Sequence, residues 1–274
     1  MKFPLNFHQS FAPEKEAIAQ IVQFASNNFN DFYTKEEISQ LTSIPTGKRS
    51  GKVVPHINYA NAMGLICVKK DGATFKISLT PLGQVVSEED PYFIEELTNY
   101  LCHCNLSSIT SKAEMWSYIY NVVIKTYGLV LTNNSLKSTL NKYFDGKDVN
   151  ITPFRTCYIE DRCFGDLKLL EILEEKYIFK SHKVNKSYKF LYGYLLLSNW
   201  EQLLPNQSEI THNNLINEIG FGNPFLWDEA SINETLEILR EERVIVINRQ
   251  LSPVTYIKRI SSKSLLSKIY SLLI

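Results

Sequence analysis

The chain has 274 residues, 44% of them hydrophobic, with 29 basic residues balanced by 29 acidic ones. That length can bury a sizeable core in two or three domains, and the even charge excludes a protein that coats nucleic acid through a general positive field. No apolar run is long enough to span a bilayer, Met1-Lys2-Phe3-Pro4-Leu5-Asn6 lacks a secretory apolar stretch, and five cysteines without framework spacing fit free thiols, so a cytoplasmic protein is expected.

In chain order, Pro13 with Glu14 and Glu16 marks a helix start, and Ile18, Ile21, Val22 and Ala25 form its apolar stripe. Thr34-Lys35-Glu36-Glu37 is a capping box, in which hydroxyl and carboxylate satisfy each other's backbone amides, so a second helix begins at Lys35 and carries Ile38 and Leu41. Ser43-Ile44-Pro45-Thr46-Gly47 breaks its period. A third helix holds Ile57, Ala60 and Met63 on one face, with Pro55 in its first turn and Gly64 ending it. Asp71-Gly72 is a hairpin turn between Ile66-Cys67-Val68 and Phe75-Lys76-Ile77. Helix, turn, helix and hairpin in this order are the parts of a winged helix-turn-helix.

From Asp90 to Tyr127 the pattern is helical, with one stripe of Ile94, Leu97 and Leu101 and another of Met115, Trp116, Ile119 and Val123. A short helix with Leu136 and Leu140 follows between Asn133-Asn134-Ser135 and Asp145-Gly146. Asp166 to Lys176 reads as a helix, leading to a hairpin of Tyr177-Ile178-Phe179 and Tyr188-Lys189-Phe190. Near the end, Ser208 to Ile219 reads as one helix, Ser231-x-x-Glu234 as a capping box, and Val244-Ile245-Val246-Ile247 with Thr255-Tyr256-Ile257 as wing strands. The expected fold is mainly α with small β-hairpins (α+β): an N-terminal winged helix-turn-helix over 1–88, a helical middle with a helix-hairpin element over 89–195, and a C-terminal winged-helix-like domain over 196–274.

Charge points to a contact surface. Between Pro45 and Lys76 stand Lys48, Arg49, Lys52, Lys69, Lys70 and Lys76 against Asp71 alone, six basic residues to one acidic. Lys48, Arg49 and Lys52 would take phosphates at the start of the reader helix, Asn58 and Asn61 would face the groove, and Lys69 and Lys70 would straddle the backbone from the wing of a double-stranded DNA site. Cys102-His103-Cys104 lacks further ligands at zinc spacing, so helical cysteines and a hydrogen-bonded buried histidine are expected instead of a metal. Trp227, with Phe225 and Phe221, is expected to anchor a capped helix to the core.

Phe7-His8-Gln9-Ser10-Phe11, Met63-Gly64-Leu65-Ile66, Leu79-Thr80-Pro81-Leu82-Gly83, Asp90-Pro91-Tyr92, Leu101-x-His103-x-Asn105-Leu106 and Gly222-Asn223-Pro224-Phe225 before Trp227-Asp228-Glu229 run in an ordered series. This series resembles the bacterial domain-of-unknown-function family 4007 along nearly the full chain. The resemblance implies an association with DNA phosphorothioate modification and phage-defence gene clusters, and no established activity. Gln9 and Ser10 depart from the family's His-Glu-Thr-Phe pattern, which removes the carboxylate there.

No phosphate loop, nucleophile elbow or His-Glu-x-x-His motif is present, and no cofactor is implied. Glu160 and Asp161 near Arg155 and Arg162 form a compact charged cluster, expected to be a salt-bridged connector. The sequence therefore points to a DNA-binding accessory or regulatory protein, with DNA-modification or defence proteins as partners. A protein-interaction adaptor that recruits such an enzyme is the alternative, and a metal-dependent nuclease centred on Asp161 a weaker one.

Overall fold

The computed structural model describes residues 2–47, 49–250 and 252–273, and is an α+β protein in which one supersecondary unit occurs three times. The first unit runs α1 (Lys15–Asn27), β1 (Tyr33–Thr34), α2 (Lys35–Thr42), α3 (Val53–Ala62), β2 (Ile66–Asp71) and β3 (Thr74–Leu79). Helices α4 (Pro81–Glu89) and α5 (Glu96–Ser107) lead to the second unit. Its first helix is α6 (Glu114–Tyr118), which continues through a π-helical turn (Ile119–Val123) into α7 (Ile124–Tyr127). Then come β4 (Val130–Thr132), α8 (Asn133–Tyr143), α9 (Thr152–Ile159), β5 (Leu170–Leu173) and β6 (Lys176–Phe179). The third unit has α10 (Lys189–Leu203), β7 (Glu209–Thr211), a π-helical turn (Asn214–Glu218), α11 (Glu229–Glu241), β8 (Ile245–Asn248) and β9 (Thr255–Lys258).

Each unit closes the same antiparallel three-stranded sheet, in the orders β1-β3-β2, β4-β6-β5 and β7-β9-β8. The repetition reaches single residues. Thr34, Thr132 and Thr211 end the first strand of each unit, and each hydroxyl accepts from the backbone amide three residues on, at 3.2, 3.0 and 3.2 Å. Four residues after each threonine stands a fully buried Ile38, Leu136 or Leu215. At the other end, Gly64, Lys168 and Arg243 take left-handed backbone with φ of 74°, 53° and 59° before the buried pairs Leu65-Ile66, Leu169-Leu170 and Val244-Ile245.

Local signals explain the first unit. The capping box at Thr34 and Glu37 forms in both directions, and α2 begins at Lys35. Thr80 caps α4 with its hydroxyl on the Gly83 amide at 2.9 Å, and its own amide donates to the Leu65 carbonyl at 3.0 Å. A Cβ on Gly83 would stand 1.8 Å from the Leu65 oxygen, so this residue must be glycine for α4 to seat against the start of β2.

Five elements differ from the sequence expectation. Asp166–Lys176 is no helix: β5 and β6 form a hairpin there, turning at Glu174 and Glu175, whose φ values are 48° and 62°. Tyr188-Lys189-Phe190 consequently opens α10 and is not a wing strand, and the boundary expected after residue 195 falls inside that helix. Ser208–Ile219 is a strand followed by the π-helical turn, because Thr211 leaves the extended backbone only at the sheet's end. Asp228, and not Ser231, caps α11 by accepting from the Ser231 amide at 2.8 Å. Ile94, expected within a buried stripe, is 76% exposed because the Asp90 carboxylate caps the chain at Ile94 and Glu95 before α5 starts.

Buried side chains of all three units and the linking helices form one continuous core. No helix among the described residues is long and apolar enough to cross a membrane.

Candidate nucleic-acid interface

The helix expected to read bases, α3, lies inside the protein. Val53, Pro55, His56, Ile57, Tyr59 and Ala60 are buried, and Tyr59 donates its hydroxyl to the Phe11 carbonyl at 2.9 Å. Asn58 donates its side-chain amide to the Phe7 carbonyl at 3.3 Å, and Asn61 accepts from Lys112 Nζ at 2.6 Å. Both amides are half-buried and engaged, Asn58 by the N-terminal segment and Asn61 by the lysine that precedes the second unit. Lys52 is also engaged internally. Its ammonium meets the Glu14 carboxylate at 2.8 Å, which Arg162 grips from the second unit at 2.8 Å. Below it, the Glu14 amide donates to His56 Nε2 at 3.2 Å, so the neutral ring carries its proton on Nδ1 and donates to the Lys52 carbonyl at 2.7 Å. Lys52, Asn58 and Asn61, expected as DNA contacts, are thus each engaged in joints of the fold. Lys48 lies outside the described residues, and Arg49 is exposed.

The hairpin tells a different story. Lys69 and Lys70 are exposed on β2. The register sets Lys69 opposite Lys76 and Cys67 opposite Ser78, so alternate residues Cys67, Lys69, Lys76 and Ser78 share the outer face of the sheet while Phe75 and Ile77 turn to the core. Lys70 lies beside the Phe75 ring, 5.5 Å from its centroid. Lys76 donates to the Asn30 carbonyl at 2.7 Å, which ties the outer face to the loop between α1 and β1. That loop carries Phe29 and Phe32, 49% and 46% exposed. Sequence reasoning missed both; the signal available was two aromatic residues flanking Asn30-Asp31 in an otherwise polar stretch. Cys67 is exposed, whereas Cys102, Cys104, Cys157 and Cys163 are buried.

The third units of helix use differ again. The exposed side of α11 carries Asn233, Glu234, Arg240 and Glu241, and Glu237 holds both Arg240 and Arg249. A cavity of about 320 Å³ between α11 and its hairpin is lined by His212, whose Nδ1 meets the Tyr256 hydroxyl at 2.9 Å and Nε2 the Glu229 carboxylate at 3.1 Å. In the second unit a similar groove of about 340 Å³ holds Arg155, Asn150 and Tyr177, with Lys137 neutralised by Asp148 at 2.8 Å.

Among the described residues no three His, Cys, Asp or Glu side chains converge as metal ligands. His103 is held from both sides, by the Tyr158 hydroxyl on Nδ1 and the Pro224 carbonyl on Nε2, each at 2.8 Å. Burial pushes its pKa down to about 4 and pushes the Cys102 and Cys104 thiols up, away from the thiolate. Trp227 stacks on Phe225 at 4.4 Å and donates to the His182 carbonyl at 2.9 Å, anchoring the start of α11. Glu160 pairs with Arg162, which makes the 160–162 cluster a salt-bridged connector to Glu14.

The ordered motifs of the sequence turn out to be joints as well. Asn105 donates to the Met63 carbonyl at 2.9 Å, Thr80 to the Gly64 carbonyl at 2.6 Å, and Asn223 to Asn121 at 2.8 Å.

No protein-family model and no curated sequence matches the chain. Its fold is similar to the crystal structure of SspB, with a TM-score of 0.76 and 17% identity over 97% of this chain and 86% of that one. A crystal structure of magnesium ion-bound SspB gives 0.75 and 16% over the same shares. At such identity the likeness is one of fold.

Proposed function

We propose that the protein is a DNA-binding accessory factor of a DNA-modification or phage-defence system, and that its three units act as winged helix-turn-helix modules. The observation that carries this reading is the first hairpin, whose exposed Lys69 and Lys70 and outward Lys76 face Asp71 as the one acidic residue on its strands. Lysines on both sides of one hairpin, in a neutral chain, suit phosphate contact at one site. The resemblance to family 4007 implies the same setting, and the likeness to SspB is one of fold. The contact in this reading runs through the wing, with α3 serving as scaffold.

Fluorescence anisotropy with labelled duplex DNA, plain and phosphorothioate-linked, across a salt series tests it. Salt-sensitive binding that weakens in the Lys69→Ala/Lys76→Ala variant, with a slope shallower by about 0.9 per lost phosphate contact, is expected. Unchanged slope removes the hairpin from the argument. Cleavage of the duplex on adding magnesium overturns the accessory reading in favour of a nuclease.

A second reading, a protein-interaction adaptor, is favoured by the acidic exposed side of α11, which repels phosphate and suits a basic partner surface. Recovery of a partner after nuclease treatment, lost in a Glu234→Lys/Glu241→Lys variant, supports it; recovery unaffected by those changes counts against it.

A further inference from the structure

Two features of the first unit's hairpin and the loop beside it are not explained by packing alone. Lys69 and Lys76 stand directly opposite each other on one face, an arrangement that costs stability in an antiparallel pair. Among the described residues neither ammonium has a carboxylate partner to relieve it, and the Lys76 ammonium is drawn to the Asn30 carbonyl. Beside that carbonyl, Phe29 and Phe32 are the exposed members of a set of fifteen phenylalanines, the rest of which are buried or partly buried.

A pair of facing cations beside two exposed aromatic rings matches a ligand that alternates charge and flat rings. We infer that the outer face of β2 and β3, with the 28–32 loop, binds single-stranded DNA. Lys69 and Lys76 take successive backbone phosphates, and Phe29 and Phe32 stack unpaired bases. Base–aromatic stacking needs bases that are not enclosed in a duplex, and it tolerates any sequence because every base has a π-face. A duplex offers the lysines the same phosphates but leaves both rings without partners. This assignment rests on the nucleic-acid reading above and specifies its strand state. It also accounts for the burial of α3, since stacking on a sheet and loop requires no helix in a groove.

The test uses the full chain, a fluorescein-labelled oligothymidylate, a blunt duplex of equal length, and a polyglutamate peptide as competitor. Tighter binding of the oligothymidylate is expected. Phe29→Leu/Phe32→Leu should weaken it at least tenfold with the salt slope unchanged, and Phe29→Tyr/Phe32→Tyr should restore it, which a merely apolar or structural role would not produce. Lys69→Ala/Lys76→Ala should lower the slope by about 1.4, at about 0.7 per single-strand phosphate contact. Both pairs lie at the surface, and unchanged circular dichroism confirms that the variants fold. Duplex binding without single-strand preference, or full affinity in the leucine variant, overturns the inference and leaves the DNA-binding function standing. Equal displacement by polyglutamate overturns it in favour of an acidic protein partner. Binding to neither nucleic acid overturns both.

Discussion

Helices α3 and α11 occupy the same place in their units, and the chain uses them oppositely. Helix α3 buries most of its circumference and spends Lys52, Asn58 and Asn61 on neighbouring segments, while α11 keeps an exposed side of Asn233, Glu234, Arg240 and Glu241. Position within a repeated unit therefore does not assign a role. What lies against the helix does: the segment around Phe7, Lys112 and Arg162 closes over the first unit, and nothing equivalent covers the outer side of α11 among the described residues.

If α3 is a pillar, Tyr59→Ala should be the most damaging change in this comparison. The side chain is fully buried and its hydroxyl is bonded, so a loss of about 3–5 kcal/mol is expected in chemical denaturation. Glu234→Ala on α11 should stay within about 0.5 kcal/mol. Comparable losses at both sites would erase the distinction.

Acid should also separate the two helices. Burial lowers the pKa of His8, His103 and His182 to about 4 and lowers that of His56 on α3. The unfolded chain protonates these rings near pH 6.5, whereas the folded one holds them neutral, so it binds more protons only when unfolded. Their contribution is complete above pH 6.5 and is lost as the pH falls toward 4, at about 1.4 kcal/mol per pH unit for each proton involved. Denaturation midpoints at stepped pH measure this, and a flat profile between 6.5 and 4.5 would refute it. Hydrogen exchange near pH 5 should show α3 loosening before α11.

A small effect separates scaffold from contact. Lys52→Ala should cost about 1 kcal/mol, since Arg162 still holds Glu14, and should leave unchanged the salt slope of the DNA binding proposed above. A slope that falls with Lys52→Ala would return the start of α3 to the interface.

The first unit was legible because its signals are local: a capping box, a left-handed glycine and an Asp-Gly turn each act within four residues. The second unit was not, because its hairpin turns on Glu174 and Glu175, residues that rarely adopt positive φ, so Leu167, Leu170 and Leu173 read as a helix stripe. The residue-level repeat, Thr34 with Ile38, Thr132 with Leu136 and Thr211 with Leu215, stood in the sequence unread. Of the candidate site, the exposure of Lys69 and Lys70 was legible because the Asp71-Gly72 turn places both at a hairpin tip, where even the residue on the core-facing side lies beyond the core. The internal partners of Lys52, Asn58 and Asn61 were not legible because helical periodicity separates two faces but carries no information about a distant segment that packs on the second.

Cys67 has a practical consequence. It shares the outer sheet face with Lys69 and Lys76, and its four fellow thiols are sealed in the core. The unmodified protein thus carries a built-in attachment point for a maleimide dye, two residues from the lysine pair. Its alkylation rate reports directly on whether anything occupies that face, without a single substitution in the chain.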